Sequence, residues 1–144
     1  MTDLYLVAVD GSEGSRRALY FAAAAAHQHG ARLLVTHVIQ ASPGTDLSPQ
    51  APELQFGQRE AEIEHATSHM LEPLVTDARE LGVQVECKAL HGDPATVLAE
   101  LADVREAKQI FIGRHGHSRV HELLFGSVLL KLAHKAKVPV TLVP

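Results

Sequence analysis

The order of apolar and helical patterns along the chain predicts an α/β fold, a single domain built on a parallel sheet with helices on both faces. Three observations carry this prediction. Five short apolar, β-branched runs alternate with four segments of helical period, and strands connected through helices pair in parallel. The 144 residues, 46% of them apolar, suffice for one core and one domain, residues 1–144. A glycine-spaced loop, Gly113-x2-Gly116-x9-Gly126-Ser127, leaves the fourth run and leads into the last helical segment.

The elements follow in order. Residues 4–9 form a short apolar strand, and the Ala-rich segment 13–29 is a helix stopped by Gly30. Residues 32–39 are again apolar and β-branched, and residues 41–56, with Pro43, Gly44, Pro49 and Pro52, read as one long loop. Ile63, Ala66, Met70, Leu74, Ala78 and Leu81 then recur every three or four residues up to Gly82, which predicts a second helix with a kink or break at Pro73. Residues 83–90 read as a strand, 95–106 as a helix, 110–112 as a strand, 127–137 as a helix and 138–143 as the last strand.

Composition narrows the partners. Net charge is −4, yet residues 105–144 hold seven Lys/Arg against two Asp/Glu, net +5, leaving −9 for the rest. The glycine loop lies in the basic part, which favours a bound anion of modest size. Lys131, Lys135 and Lys137 serve equally as the solvated, dipole-complementing end of a helix. A nucleic-acid partner would call for an overall basic chain with aromatic or Arg-rich readout segments, and this chain has no Trp. Neither a signal peptide nor a membrane span is read from it, and the single cysteine, Cys87, forms no internal disulfide; a cytoplasmic location is expected.

The glycine loop is the main chemical signal. Glycines let the backbone turn and approach a phosphate closely, and a hydroxyl residue opening a helix adds N–H donors, so the pattern points to nucleotide binding. It matches neither G-x4-G-K-[ST] nor G-x-G-x-x-G. In open parallel sheets ligands sit beyond the carboxyl ends of strands, where the strand order reverses. Val9-Asp10-Gly11-Ser12, the second-strand end near Val38 and Ile112-Gly113 all end strands, so they converge on one crevice if the first and fourth strands are neighbours. Asp10 also suits the acceptor of a turn or helix cap, and Ser127 a plain N-cap.

Val7-Ala8-Val9-Asp10-Gly11-Ser12-Glu13-x-Ser15-x-x-Ala18-Leu19 resembles the opening of the universal stress protein family. His91-Gly92-Asp93-Pro94, the glycine loop and Val138-Pro139-Val140-Thr141-Leu142-Val143 are similar to that family in the same order, so the likeness spans essentially the whole chain. The resemblance implies a Rossmann-like domain of the adenine nucleotide alpha hydrolase type, with strand order 3-2-1-4-5, commonly a homodimer through Val138 to Val143. It also implies ATP binding, because this chain keeps the full glycine motif. On the same basis Asp10, between Val9 and Gly11, reaches the ribose or base, and the backbone at Val38 meets the adenine. Gly113, Arg114 and Gly116 line ribose and phosphates, and Gly126, Ser127 and Val128 hold the phosphates. Leu129 and Leu130 depart from the small polar residue that the family often places after this point.

The ten histidines raise a metal, but His27-Gln28-His29 and His115-Gly116-His117 do not close a tetrahedron, so no metal held by protein alone is expected. Mg²⁺ carried by the phosphates of ATP is expected instead. No G-x-S-x-G elbow and no Ser/His/Asp or Cys/His arrangement stands out, and no catalytic residue is assigned. Asp10 and Asp93 share only the layout of phosphoacceptor receiver domains: the acidic pair after the first strand is absent, and Lys108 precedes the fourth strand. The expected function is a nucleotide-dependent stress-response regulator acting on a protein partner. The alternatives are a weak ATPase or phosphate-transferring enzyme, and a nucleotide-free interaction dimer.

Overall fold

The computed structural model describes residues 2–40, 52–114 and 119–144. Its strands are β1 (Leu4–Ala8), β2 (Arg32–Ile39), β3 (Val85–His91), β4 (Gln109–Gly113) and β5 (Val140–Val143). They form one parallel sheet in the order β3-β2-β1-β4-β5. Helix α1 (Glu13–His29) joins β1 to β2; α2 (Pro52–Ala66), a π-helical turn (Thr67–Leu71) and α3 (Glu72–Glu80) join β2 to β3. Helix α4 (Pro94–Val104) leads from β3 to β4, and α5 (Arg119–Lys135) from β4 to β5. The order reverses between β1 and β4, the place where such sheets open a crevice.

Strand alternation divides the core in two. Tyr5, Val7, Leu33, Val35 and Phe111 face α1, the π turn and α3, whereas Leu4, Leu6, Leu34, Ile110 and Ile112 face α4 and α5. Ala22, Ala23 and Ala26 of α1 are wholly buried, so the alanine run lets that helix lie close against the sheet. Its ends are fixed locally. The Ser12 hydroxyl accepts from the Ser15 N–H at 3.1 Å, and Gly30 closes the helix in the left-handed region at φ 66°.

Three departures from the sequence pattern have physical causes. Residues 52–56, read above as loop, open α2, with Pro52 at its first position, where its missing N–H costs nothing; residues 41–51 of that expected loop lie outside the described residues. The single second helix is interrupted by the π turn just before Pro73. Proline cannot donate to the His69 carbonyl and its ring crowds it, and widening the helix there relieves the clash. Thr67 Oγ1 and Ser68 Oγ donate to the carbonyls of Ile63 and Glu64 at 2.8 and 2.9 Å, engaging acceptors where the helical ladder shifts. Lastly, α5 begins at Arg119 rather than at Ser127 and ends at Lys135, because Leu123, Leu124 and their neighbours favour a helix that runs on through Gly126.

Candidate functional site

Beyond β1 the chain makes a tight turn. The Val9 N–H donates to the Thr36 carbonyl at 2.8 Å, one residue past the last β1 partner, and the Val9 carbonyl accepts from His37 Nδ1 at 2.8 Å. Asp10 Oδ1 accepts from the Ser12 N–H at 2.9 Å, while the Asp10 N–H donates to Ser15 Oγ at 3.2 Å. Gly11 holds φ 83°, a conformation that only glycine adopts without strain. Asp10 is thus the turn acceptor, and its second oxygen, Oδ2, takes no hydrogen bond among the described residues; the side chain stays half-buried at the sheet end.

The end of β2 adds a backbone feature. Thr36 carries its pairing groups toward β1, and strand alternation turns the N–H and C=O of Val38 the same way, past the point where β1 has ended. Ile39 faces the other edge, its carbonyl accepting from the Gly92 N–H at 3.2 Å. A donor and an acceptor therefore stand side by side at Val38, the pair needed to read the edge of a purine.

At the end of β4, Gly113 is buried against the start of α1: a Cβ there would stand 2.8 Å from the Gly14 carbonyl oxygen. Exposed Arg114 donates its N–H to the Val143 carbonyl at 2.8 Å. Gly116, with His115 and His117, lies outside the described residues. Gly126 and Ser127 are exposed within α5, not at its start, and Val128 is half-buried against the core beside α4. The structure thus brings Val9, Asp10, Gly11, Val38 and Gly113 to one end of the sheet, and leaves Gly126 and Ser127 along a helix whose own ladder uses their N–H groups.

Between the first turn of α1, the end of β2 and the helical segments α2 to α3 opens a cleft of about 980 Å³. Ile39, Met70 and Leu74 give it apolar walls, and Arg16, His37 and Gln40 give it polar ones. Gly11 and Ser12 form part of its mouth, so the Asp10 turn and the cleft are continuous. Sequence reasoning missed Arg16, His37 and Met70. The period-two alternation of β2 was the available signal for His37, whereas Met70 comes from an element whose distance from the turn only folding closes.

Two titrating groups are displaced. The Asp93 carboxyl is held below its ordinary value, first by the Thr96 hydroxyl at 2.9 Å and then by the Thr96 N–H at 3.2 Å, which makes Asp93 the N-cap of α4. Burial pushes the Cys87 thiol up, with Glu72 adding to the effect. Neither is arranged as a nucleophile or base toward the cleft.

A family model described as "Universal stress protein family" matches residues 1–144. The chain belongs to the universal stress protein family. It is 31% identical to universal stress protein YxiE of Bacillus subtilis, over 99% of both chains. Among solved structures, a universal stress protein from Archaeoglobus fulgidus in complex with dAMP superposes with a TM-score of 0.67 at 26% identity, over 100% of this chain and 98% of that one. A universal stress protein in complex with cAMP superposes at 0.71 over 99% of this chain and 96% of that one; at 24% identity that likeness is one of fold.

Proposed function

We propose that this universal stress protein binds ATP, with Mg²⁺ carried on its phosphates, and that the bound nucleotide changes a surface offered to a regulatory protein partner in the cytoplasm. The carrying observation is the cleft of about 980 Å³ lined by Gly11, Ser12, His37 and Ile39, the chain neighbours of Asp10 and Val38. Its volume suits a ligand of nucleotide size. Beside these lining residues Asp10 Oδ2 is a carboxylate acceptor for ribose hydroxyls and Val38 a donor–acceptor pair for adenine, and Arg16 supplies a cation in the cleft wall itself. The dAMP bound by the Archaeoglobus fulgidus relative supports an adenine ligand.

Phosphate contacts through Gly126, Ser127 and Val128 require α5 to begin near Ser127, so that these N–H groups leave the helical ladder and become its open N-terminus. ATP binding is then coupled to unwinding of the turns from Arg119 to Gly126, and Gly113, Arg114 and Gly116 follow the phosphates. No residue is assigned to hydrolysis. The observed start of α5 favours a second reading, a nucleotide-free interaction dimer, because in that conformation Gly126 and Ser127 have no donors to offer. In both readings the chain pairs through β5.

The experiment is to denature the purified protein, identify what is released, and titrate ATP, ADP and AMP calorimetrically into stripped, refolded protein. Release of ATP, or saturable binding preferring ATP, supports the first reading; no heat with any of the three leaves the interaction dimer.

A further inference from the structure

On the wall of the cleft, one helical turn apart, stand His65 and His69. Their rings stack with centroids 4.1 Å apart and planes 23° from parallel. The π turn begins between them, at Thr67, and fixes how the second ring is held. His69 Nδ1 lies 3.2 Å from the His65 carbonyl oxygen and 3.0 Å from Ser68 Oγ. The carbonyl only accepts, so that contact needs a proton on Nδ1, and the Ser68 hydroxyl has backbone acceptors of its own in the carbonyls of Glu64 at 2.9 Å and His65 at 3.4 Å. Nδ1 therefore carries the ring proton, and the lone pair of neutral His69 is on Nε2.

We propose that His65 and His69 form a two-histidine clip for a late first-row divalent transition metal. A ring whose Nδ1–H is tied to a backbone carbonyl while Nε2 stays free is the arrangement found behind metal-binding imidazoles, because it fixes the tautomer and the ring plane. Neither ring nitrogen of His65 takes a hydrogen bond among the described residues, so this ring is free to turn toward the same ion. Imidazole nitrogens select copper, nickel and zinc over magnesium and calcium, and Cu²⁺ binds tightest in that series. Glu62 lies one turn earlier on the same wall, its carboxylate half-exposed and 3.5 Å from His91 Nε2. Among the described residues no three metal-ligating side chains already converge, so the clip supplies two ligands. A bound ion would tie the last turn of α2 to the π turn that carries Met70.

The test is a titration of nucleotide-free full chain with Cu²⁺ and then Zn²⁺, so that its outcome is independent of ATP binding. The expected result is about one Cu²⁺ per chain with nitrogen hyperfine coupling from two imidazoles, and a loss of affinity of more than about tenfold in His65→Ala or His69→Ala. Ser68→Ala should weaken binding less. The control pair His27→Ala with His29→Ala should leave it unchanged. His65→Gln with His69→Gln keeps a polar surface and serves if an alanine variant loses helix by circular dichroism. Parent-like stoichiometry and affinity in the folded double variant would overturn the clip, as would copper coupling traced to His27 or His29.

Discussion

At Gly113 the absent side chain is a packing requirement before it is a binding one, because the backbone of Gly14 occupies the space that a Cβ would take, 2.8 Å from the oxygen. Neither partner is a flexible side-chain end, so relief must come from shifting α1 or β4. Gly113→Ala is expected to cost about 1–3 kcal/mol of unfolding free energy by urea denaturation, in nucleotide-free protein; an unchanged midpoint would show that the two backbones separate at no cost. Asp93 gives a second, pH-linked case. Losing its cap in Asp93→Ala should cost about 1 kcal/mol at neutral pH. Because the folded carboxyl is held below its ordinary value by Thr96, its contribution is complete above the ordinary carboxylate range and is lost as pH falls through the lowered folded value. The difference between parent and variant should therefore shrink on acidification to about pH 3, and a constant difference would mean that the charge does not contribute. These residues also mark what was legible. Asp10 and Asp93 carry turn and cap chemistry in their immediate neighbours and could be read from sequence. The contact of Gly113 with Gly14 joins positions about a hundred residues apart, and a one-dimensional pattern gives no sign of it.

Among the elements, α1 and β2 match their sequence patterns because each is bounded by local punctuation: Ser12 and Gly30 for the helix, and the end of apolar alternation for the strand. The last helix lacks such a signal. Gly126-Ser127 looks like a loop end followed by a cap, yet helix-favouring residues on both sides carry α5 through it, and the glycine becomes the weak position in a continuous helix. A Cβ at Gly126 meets nothing within 4 Å, so Gly126→Ala introduces no clash in this conformation. It should raise stability by about 0.5–1 kcal/mol, seen as a higher melting temperature. The same change should weaken ATP binding, because a stiffer α5 resists the unwinding that frees the Ser127 N–H and because the added methyl crowds the phosphate. A variant that melts higher and binds ATP as well as the parent would separate the helix start from nucleotide binding and remove the proposed coupling. The π turn was legible only in part: Pro73 announces a disturbance, but whether the helix kinks, breaks or widens depends on which side chains can engage the displaced carbonyls, here Thr67 and Ser68.

For the whole molecule the strand order leaves two sheet edges, and the sequence treats them differently. β3 is guarded by charge: Lys88 is exposed, and Glu86 pairs with Arg32 at 3.4 Å and with Arg105 at 2.6 Å. β5 is Val140-Thr141-Leu142-Val143, with no charge along it, Val140 only half-buried and Leu142 40% exposed. An uncharged, apolar edge invites pairing with another chain unless something covers it, and a second copy is the simplest cover, since an isologous two-fold contact closes on itself. In that arrangement two β5 strands run antiparallel and extend the sheet across both subunits. The chain of 15.5 kDa is therefore expected to scatter light as a particle of about twice that mass at tens of micromolar. Val140→Lys with Leu142→Lys places two cations on each edge, like charges that repel when the edges meet, and should shift the protein to monomer. The cleft lies at the far side of β1 and β2 and shares no residue with β5, so the variant should keep its nucleotide affinity. A parent that scatters as a monomer, with or without ATP, would rule out pairing through β5.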